Sequence, residues 1–264
     1  MFQISHECPV CLLSFSHLFN DYDYCLVHLT DELSNYKKFY KNSARQGREV
    51  LLDNSIFELG VAFKNSKFIK KIKSLQPTQY IVPDVWNDCE KTIKSFQHFL
   101  KYSKGISGKK IGALQGKTYE ELKKCYQFMS QNADKIAVSF GLDYFLETGK
   151  GSNKLEDYSV GRTTLIKRLQ DDGVWNYDKP HHLLGCSLYR EFTENKEFYK
   201  KSNFVSLDTS NPIVAGMKGL KYDGTKGLDE KPSIKLFTLI NEELTSEQLR
   251  NVFYNIVMFK EGLY

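Results

Sequence analysis

Short apolar runs that end in polar or glycine residues alternate along this chain with amphipathic stretches. Seven of the runs are typical of buried β-strands, and they lie at 24–28, 49–53, 79–84, 110–115, 135–139, 182–185 and 204–208. An eighth candidate lies at 234–237, where a loop is the alternative. Between the runs, apolar residues recur at intervals of three and four over 89–102, 119–131, 159–169 and 247–258, which predicts helices that pack against a sheet.

Strands that alternate with helices of this length predict parallel pairing through right-handed crossovers. Seven or eight such units in 264 residues fit a single-domain (β/α)8 barrel spanning 1–264. A doubly wound sheet fits less well, because no Gly-x-Gly-x-x-Gly motif opens the first unit. Two polar stretches, near 141–158 and 218–231, interrupt the rhythm, and we expect them to be loop insertions near the mouth or flank of the barrel.

Composition narrows the class of protein only modestly. The chain is 41% hydrophobic and 14% aromatic, as in an ordinary globular protein. Its 37 basic and 32 acidic residues give a net charge of +5, which fits a polyanionic partner and equally fits a solvated lysine-rich surface. No apolar stretch approaches the ~18 residues of a membrane span, and no basic-then-apolar leader opens the chain. We therefore expect a cytoplasmic protein without a membrane partner.

The six cysteines are mostly scattered, which is typical of reduced thiols. Cys8 and Cys11 form a Cys-x-x-Cys pair that could be drawn as a zinc site with Cys25 and His28. The segment 24–28 reads as a strand, however, in which residues three apart point to opposite faces. We expect no zinc here and no cofactor elsewhere, although a barrel lined by carboxylates could equally bind Mg²⁺.

Polar residues follow most of the predicted strands, and in a barrel these carboxyl-terminal ends converge on one site. That lining would comprise Asp53, Asp84, Gln115, Ser139, Gly185 and Asp208. Two carboxylates facing one cleft can divide the roles of nucleophile and general acid/base. A third carboxylate and a carboxamide can read the edge of a heterocycle. Asp208 alone could also be a turn cap, and we expect His181 and His182 to be structural.

Five segments resemble those of tRNA-guanine transglycosylases, in the order in which that family carries them. Residues 53–58, Asp-Asn-Ser-Ile-Phe-Glu, are similar to the family's Asp-Ser-Gly-Gly-Phe-Gln, and 111–116, 137–141, 182–185 and 205–208 are similar to later segments up to its nucleophile strand. Residues 83–88, 182–187 and 208–212 are closer to the phage and bacterial branch that places 7-deazaguanines in DNA. The sequence departs from the tRNA enzymes in lacking their zinc module after the nucleophile strand, and Ser139-Phe140 replaces their Gly-Gly pair.

The resemblance implies a metal-free base exchange. Asp208 would attack C1′ of a deoxyguanosine in DNA and form a covalent glycosyl-enzyme. Asp53 would protonate the departing guanine and deprotonate the incoming 7-deazaguanine, with 7-cyano-7-deazaguanine (preQ0) the expected base. Phe57 would stack on the base, and Asp84, with Asp88 a weaker candidate, would accept from its donor edge. The remaining base contacts would come from Gln115, Gly116, Ser139, Phe140, Gly141 and Gly185.

Other functions remain open from the residues. The substrate could be tRNA, which the missing zinc module disfavours. The chain could be a non-catalytic nucleic-acid-binding subunit of the same superfamily, which the presence of both Asp53 and Asp208 disfavours. A metal-dependent barrel hydrolase is a third class. Lysine-rich stretches at 64–73 and 218–231 are candidates for phosphate contacts in the first two cases.

Overall fold

A computed structural model describes residues 2–223, 232 and 234–262 of the chain. It confirms the predicted single-domain (β/α)8 barrel. The eight strands are β1 (Gln3–His6), β2 (Asp23–Leu26), β3 (Val50–Asp53), β4 (Gln79–Ile81), β5 (Lys109–Ala113), β6 (Lys135–Ser139), β7 (His181–Leu184) and β8 (Phe204–Thr209).

All neighbouring strands pair in parallel, in the order β1-β8-β7-β6-β5-β4-β3-β2. At the seam between β1 and β2, the Asp21 N–H donates to the Ile4 carbonyl at 2.9 Å. The Ile4 N–H in turn donates to Asp21 Oδ2 at 2.8 Å. These bonds bring the two end strands together, so the barrel is nearly closed.

The helices surround the sheet. They are α1 (Leu29–Glu32), α2 (Ser34–Arg45), α3 (Ile56–Leu59), α4 (Asn65–Leu75), α5 (Cys89–Tyr102), α6 (Tyr119–Asn132), α7 (Asp143–Thr148), α8 (Lys154–Asp171), α9 (Tyr189–Lys201), α10 (Asn211–Met217) and α11 (Ser246–Glu261). Two 3₁₀ helices span Val10–Leu18 and Leu236–Leu239. The four predicted helices correspond to α5, α6, α8 and α11. Each begins where a side chain accepts from first-turn N–H groups: Asp88, Thr118, Asn153 and Thr245 respectively.

Of the two alternatives for 234–237, a strand or a loop, the strand is wrong, since this segment enters the 3₁₀ helix Leu236–Leu239. The strand missing from the prediction is β1, which pairs with β8. In β1 the apolar Ile4 is followed by Ser5 and His6, and all three side chains are buried. His6 is accommodated by Asn20, whose Oδ1 accepts from the His6 backbone N–H at 2.7 Å. A strand in which two of the three buried positions are polar gives no apolar run.

The polar stretch at 141–158 is also not a plain loop, because it holds α7 and the start of α8. These two helices pack closely, and a Cβ at Gly161 would lie 2.5 Å from the Cα of Phe145. Buried Leu142, Tyr144 and Phe145 anchor the segment. In the second predicted loop, 224–231 lies outside the described residues.

The barrel wall alternates between an apolar outer face and a partly polar interior. In β8, Leu207 lies between Ser206 and Asp208, and residues two apart share a face of a strand. On the outside, Phe96 and Phe99 of α5 and Tyr126 of α6 are buried against the sheet. No helix in the described part of the chain is both long and apolar enough to cross a membrane.

Candidate active site

A cavity of about 540 Å³ opens at the carboxyl-terminal ends of the strands. It brings together eight of the ten predicted site residues: Asp53, Phe57, Gln115, Ser139, Phe140, Gly141, Gly185 and Asp208. The two that do not line it are Asp84 and Gly116. The barrel therefore gathers residues that are more than 150 positions apart in the sequence.

Asp208 lies at the end of β8 and is 2% exposed. Its Oδ1 accepts from His182 Nε2 at 2.9 Å and from the Gly185 N–H at 3.0 Å. Both hydrogen bonds from the described residues end on Oδ1, which leaves Oδ2 for a bound molecule. The carboxylate is thus held in one orientation at the cavity wall.

Gly185 is fixed from behind by a buried arginine. Arg162 of α8 is fully buried, pairs with both carboxylate oxygens of Glu191 at 2.8 and 2.7 Å, and donates to the Gly185 carbonyl at 3.0 Å. The same guanidinium lies 5.0 Å from the ring centroid of Phe140. Gly185 adopts φ +72°, a conformation that glycine takes without penalty. This support orients the N–H that reaches Asp208.

Asp53 ends β3 on the other side of the cavity. Its Oδ1 accepts from the Ser55 N–H at 2.6 Å, and Ser55 holds the left-handed φ of +61° that brings this N–H back to the carboxylate. Burial raises the pKa of Asp53 well above its usual range, and the nearby Glu58 and Asp208 raise it further. The hydrogen bonds from Ser55 and Tyr24 oppose that rise. The surroundings of Asp53 therefore favour its protonated form.

Aromatic side chains form one rim of the cavity. Phe57 is 53% exposed, and its ring centroid lies 6.3 Å from that of Trp86. Lys235 Nζ lies 4.8 Å from the Phe57 centroid and donates to the Phe57 carbonyl at 2.8 Å. An exposed ring with a second aromatic beside it is suited to stack on a planar ligand.

Asp84 lies beneath the cavity rather than in its wall. One oxygen accepts from Asn54 Nδ2 at 2.7 Å and the other from Gln115 Nε2 at 2.6 Å. Gln115 Oε1 in turn accepts from the Asn87 N–H at 2.8 Å. Burial raises the pKa of Asp84, and these two donors oppose the rise. In this structure Asp84 is the anchor of Gln115 and is not itself placed to touch a ligand.

The residue Gly116 after β5 packs against α6, and the end of β6 completes the cavity wall. A Cβ at Gly116 would lie 2.9 Å from Glu121 Cβ, so this glycine is needed for packing against α6. Gly141 lies against the Trp86 ring, with a Cβ position 3.6 Å from it. Ser139, at the end of β6, and Phe140 line the cavity beside it.

Several lining residues were not predicted: Glu7, Trp86, Lys154 and Lys235. Glu7 follows β1 and could not be placed without that strand. Trp86 lies two residues after Asp84, within 83–88, and no pattern in the sequence marks its side chain as part of the site. His182 was expected to be structural, but it contacts Asp208 directly, whereas His181 stacks on Trp175 with centroids 4.1 Å apart.

Within the described ranges, no three His, Cys, Asp or Glu side chains are grouped so as to hold a metal ion. Cys8 is buried, and its thiol donates to the His6 carbonyl. Cys25 is buried in β2, and His28 lies just beyond that strand. Burial raises the pKa of both the Cys8 and the Cys25 thiols.

Comparison with known proteins shows the fold. No family model and no curated protein matches the sequence. Among solved structures, the carboxyl transferase domain of Rhizobium etli pyruvate carboxylase with pyruvate has 10% identity and a TM-score of 0.51, covering 100% of this chain and 48% of that one. CitE from Mycobacterium tuberculosis has 7% identity and a TM-score of 0.48, covering 79% and 76%. At these identities the similarity is one of barrel architecture alone.

Proposed function

We propose that this protein is a transglycosylase that exchanges guanine in DNA for a 7-deazaguanine base, with Asp208 as nucleophile and Asp53 as general acid and base. The observation that supports the proposal is a pair of carboxyl groups that line one cavity and have different surroundings. Asp208 is oriented by two N–H donors, and Asp53 is in surroundings that favour its protonated form. Such pairs divide nucleophilic and acid roles in glycosyl chemistry.

In the first half of the reaction, Asp208 Oδ2 attacks C1′ of the target nucleotide as the bond from C1′ to the guanine nitrogen breaks. Asp53 transfers its proton to the departing guanine, so the base leaves neutral. The products are free guanine and a sugar linked to Asp208 as an ester. The N–H donors on Oδ1 keep the carboxylate in place as the positive charge develops on the sugar.

In the second half, the incoming 7-deazaguanine occupies the position that guanine left. The ionised Asp53 removes the proton from the base nitrogen, which attacks C1′ and displaces Asp208. Both carboxyl groups thereby return to their starting forms. No step consumes a co-reactant, because one glycosidic bond is broken and one is formed.

The cavity suits a flipped base. Its volume of about 540 Å³ accommodates a bicyclic heterocycle with part of a sugar, and Phe57 and Trp86 offer faces for stacking. Gln115, held by Asp84, can contact the base edge, and the 139–141 backbone can face the 7-substituent. Lys154 and Lys235 line the same cavity and can bind the phosphates of the strand.

The experiment is an exchange assay with labelled guanine in duplex DNA, single-stranded DNA or tRNA, with free 7-cyano-7-deazaguanine as the second substrate. We expect loss of label from DNA and a protein–DNA adduct on denaturing gels. Asp208→Asn should abolish both. Asp178→Asn, which changes an exposed carboxylate outside the cavity lining, is the matched control and should behave as wild type.

The assay separates the alternatives. Loss of label from tRNA alone would move the substrate from DNA to tRNA. Nucleic-acid binding without exchange or adduct would identify a non-catalytic binding subunit. Exchange by Asp208→Asn at the wild-type rate would refute the mechanism.

A further inference from the structure

A line of buried polar side chains runs through the barrel interior towards Asp208. It starts at Lys135, the first residue of β6, which is only 4% exposed. Lys135 Nζ donates to Gln79 Oε1 at 2.8 Å and to Ser206 Oγ at 3.5 Å. Gln79 is itself held by Glu49, whose Oε1 accepts from Gln79 Nε2 at 2.8 Å. A lysine in a barrel core is costly unless it is bonded in this way.

The line continues from Ser206 to the site. Ser206 Oγ lies 2.9 Å from His182 Nδ1, and His182 Nε2 lies 2.9 Å from Asp208 Oδ1. All these side chains are buried. Lys135 and Asp208 are therefore joined by two intermediates, Ser206 and His182.

The two ends of the line, together with the charge state of His182, fix the direction of the hydrogen bonds between them. An ammonium group can only donate and an ionised carboxylate can only accept. Ser206 Oγ therefore accepts from Lys135, and when His182 is neutral, as its burial favours, Ser206 gives its own proton to His182 Nδ1. The ring then carries its proton on Nε2 and donates it to Asp208.

Three charged groups and one aromatic ring surround His182. Burial lowers its pKa, and the nearby cations Lys135 and Arg162 lower it further, while Asp208 raises it. The Tyr22 ring meets the imidazole edge on, with centroids 6.5 Å apart. A neutral ring can donate to Asp208 without neutralising its charge, whereas an imidazolium would form an ion pair with it.

We propose that Lys135 is a positioning residue of the site: through Ser206 it fixes His182 as the neutral ring that donates to Asp208 Oδ1. Lys135 does not line the cavity, so it acts on the reaction only through this line. The catalytic value of the arrangement rests on the proposed function, since that function makes Asp208 the nucleophile. The orientation and the charge state of His182 do not rest on it.

The test measures the His182 pKa in the free protein by nitrogen-15 NMR, with the His182→Gln spectrum used to assign the resonances. Lys135→Met removes the cation, and Ser206→Ala removes the hydroxyl that bonds to the neutral ring. Both variants should raise the pKa of His182, Lys135→Met by about one pH unit, a tenfold rise in proton affinity. Because a methionine fills the place of a buried charge, Lys135→Met is expected to fold, and Ser206→Ala is an independent variant.

Ser5→Ala is the matched control. Ser5 is fully buried in β1 beside Asp208 in the strand register, and its hydroxyl has no hydrogen-bond partner among the described residues. This variant should leave the His182 pKa unchanged. An unchanged His182 pKa in both Lys135→Met and Ser206→Ala would overturn the proposal.

Activity gives a second readout. In Lys135→Met, KM for DNA and base should stay unchanged, because the cavity wall is intact. The kcat for exchange should fall about tenfold, because Lys135 no longer fixes, through Ser206, the ring that donates to Asp208. Burial lowers the pKa of Lys135 itself to about 8, with Glu49 opposing and Lys109 adding to the shift. The difference in kcat between Lys135→Met and wild type should therefore become smaller above pH 8, where Lys135 loses its charge. A wild type without exchange activity would refute the proposed function and leave the NMR result valid.

Discussion

The two sides of the cavity hold their carboxylates by different means. Asp208 is held from the barrel interior, by a ring on β7 and by a loop N–H that a buried arginine supports. Asp53 is held by its own turn, through the N–H of Ser55 two residues later. The interior support suits an atom that must form a bond at a fixed point. The local turn, with Glu58 beside it, suits a group that must gain and lose a proton.

Asp53→Asn should have the largest effect on the rate of guanine release after Asp208→Asn, and it tests the acid role on the Asp53 side of the cavity. We expect the rate of guanine release to fall by about 10²–10⁴-fold, the usual value of a positioned general acid. In the wild type this rate should decline as pH rises through the raised pKa of Asp53, because the acid form is lost. The variant should show no such decline. Single-turnover release of labelled guanine measures both, and a wild-type rate in Asp53→Asn would remove the acid role.

The same variant tests the environment of Asp53 without any substrate. A raised pKa means that the folded state holds the proton more tightly, so wild-type stability falls as pH rises from the ordinary aspartate pKa to the raised one. Asp53→Asn removes this loss of stability, because asparagine does not ionise. Its free energy of unfolding at pH 7, from urea denaturation, should exceed that of wild type, and a lower value would contradict the assignment.

Gly185→Ala tests the support of Asp208 with a smaller expected effect. A side chain at φ +72° costs about 1–2 kcal/mol. A backbone that rotates to relieve this strain would turn the residue 185 N–H away from Asp208 Oδ1. We expect kcat to fall about tenfold, as for loss of one hydrogen bond to a charged group. Gly173→Ala, at φ +68° with open space around it, is the control that should lose similar stability and no activity.

Much of the barrel could be predicted because its strands are apolar runs and its helices have regular apolar spacing. Seven of eight strands and four helices follow from those patterns alone. The strand β1 could not be found this way, since two of its four residues, Ser5 and His6, are polar and yet buried. The run at 234–237 is apolar without being a strand.

The sequence predicted most of the residues that line the cavity, but not the contacts that hold those residues in place. The strand ends identified Asp53 and Asp208 because chain order and barrel geometry bring such ends together. The direct contact of His182 with Asp208 depends on the register of β7 on β8, in which His182 pairs with Ser206. The support by Arg162 depends on a charged residue pointing inwards from a helix. Sequence spacing does not encode either contact.

Glu58→Gln tests whether neighbouring charge sets the acid role of Asp53. Removing this negative charge should lower the pKa of Asp53, because Glu58 is the largest contributor to its rise after burial. The alkaline decline in guanine release should therefore move to lower pH, with a fall of less than about tenfold at pH 7. A pH–rate profile measures the shift. An unmoved profile would mean that burial alone sets the proton affinity of Asp53.

The smallest expected effect concerns the turn that holds Asp53. The left-handed φ of +61° at Ser55 costs about 1 kcal/mol of backbone strain, and a glycine at this position would avoid that strain. Ser55→Gly removes this strain but also the Ser55 Oγ that accepts from the His28 N–H at 3.4 Å, so the free energy of unfolding, measured by urea denaturation, should rise by less than about 1 kcal/mol. Because the freed turn holds its N–H less firmly against Asp53, guanine release should slow by about threefold. Gln76→Gly relieves a similar conformation, φ +55°, at the end of α4 and should gain stability without slowing release. Equal rates in the two variants would mean that Asp53 is held by the cavity wall and not by its turn.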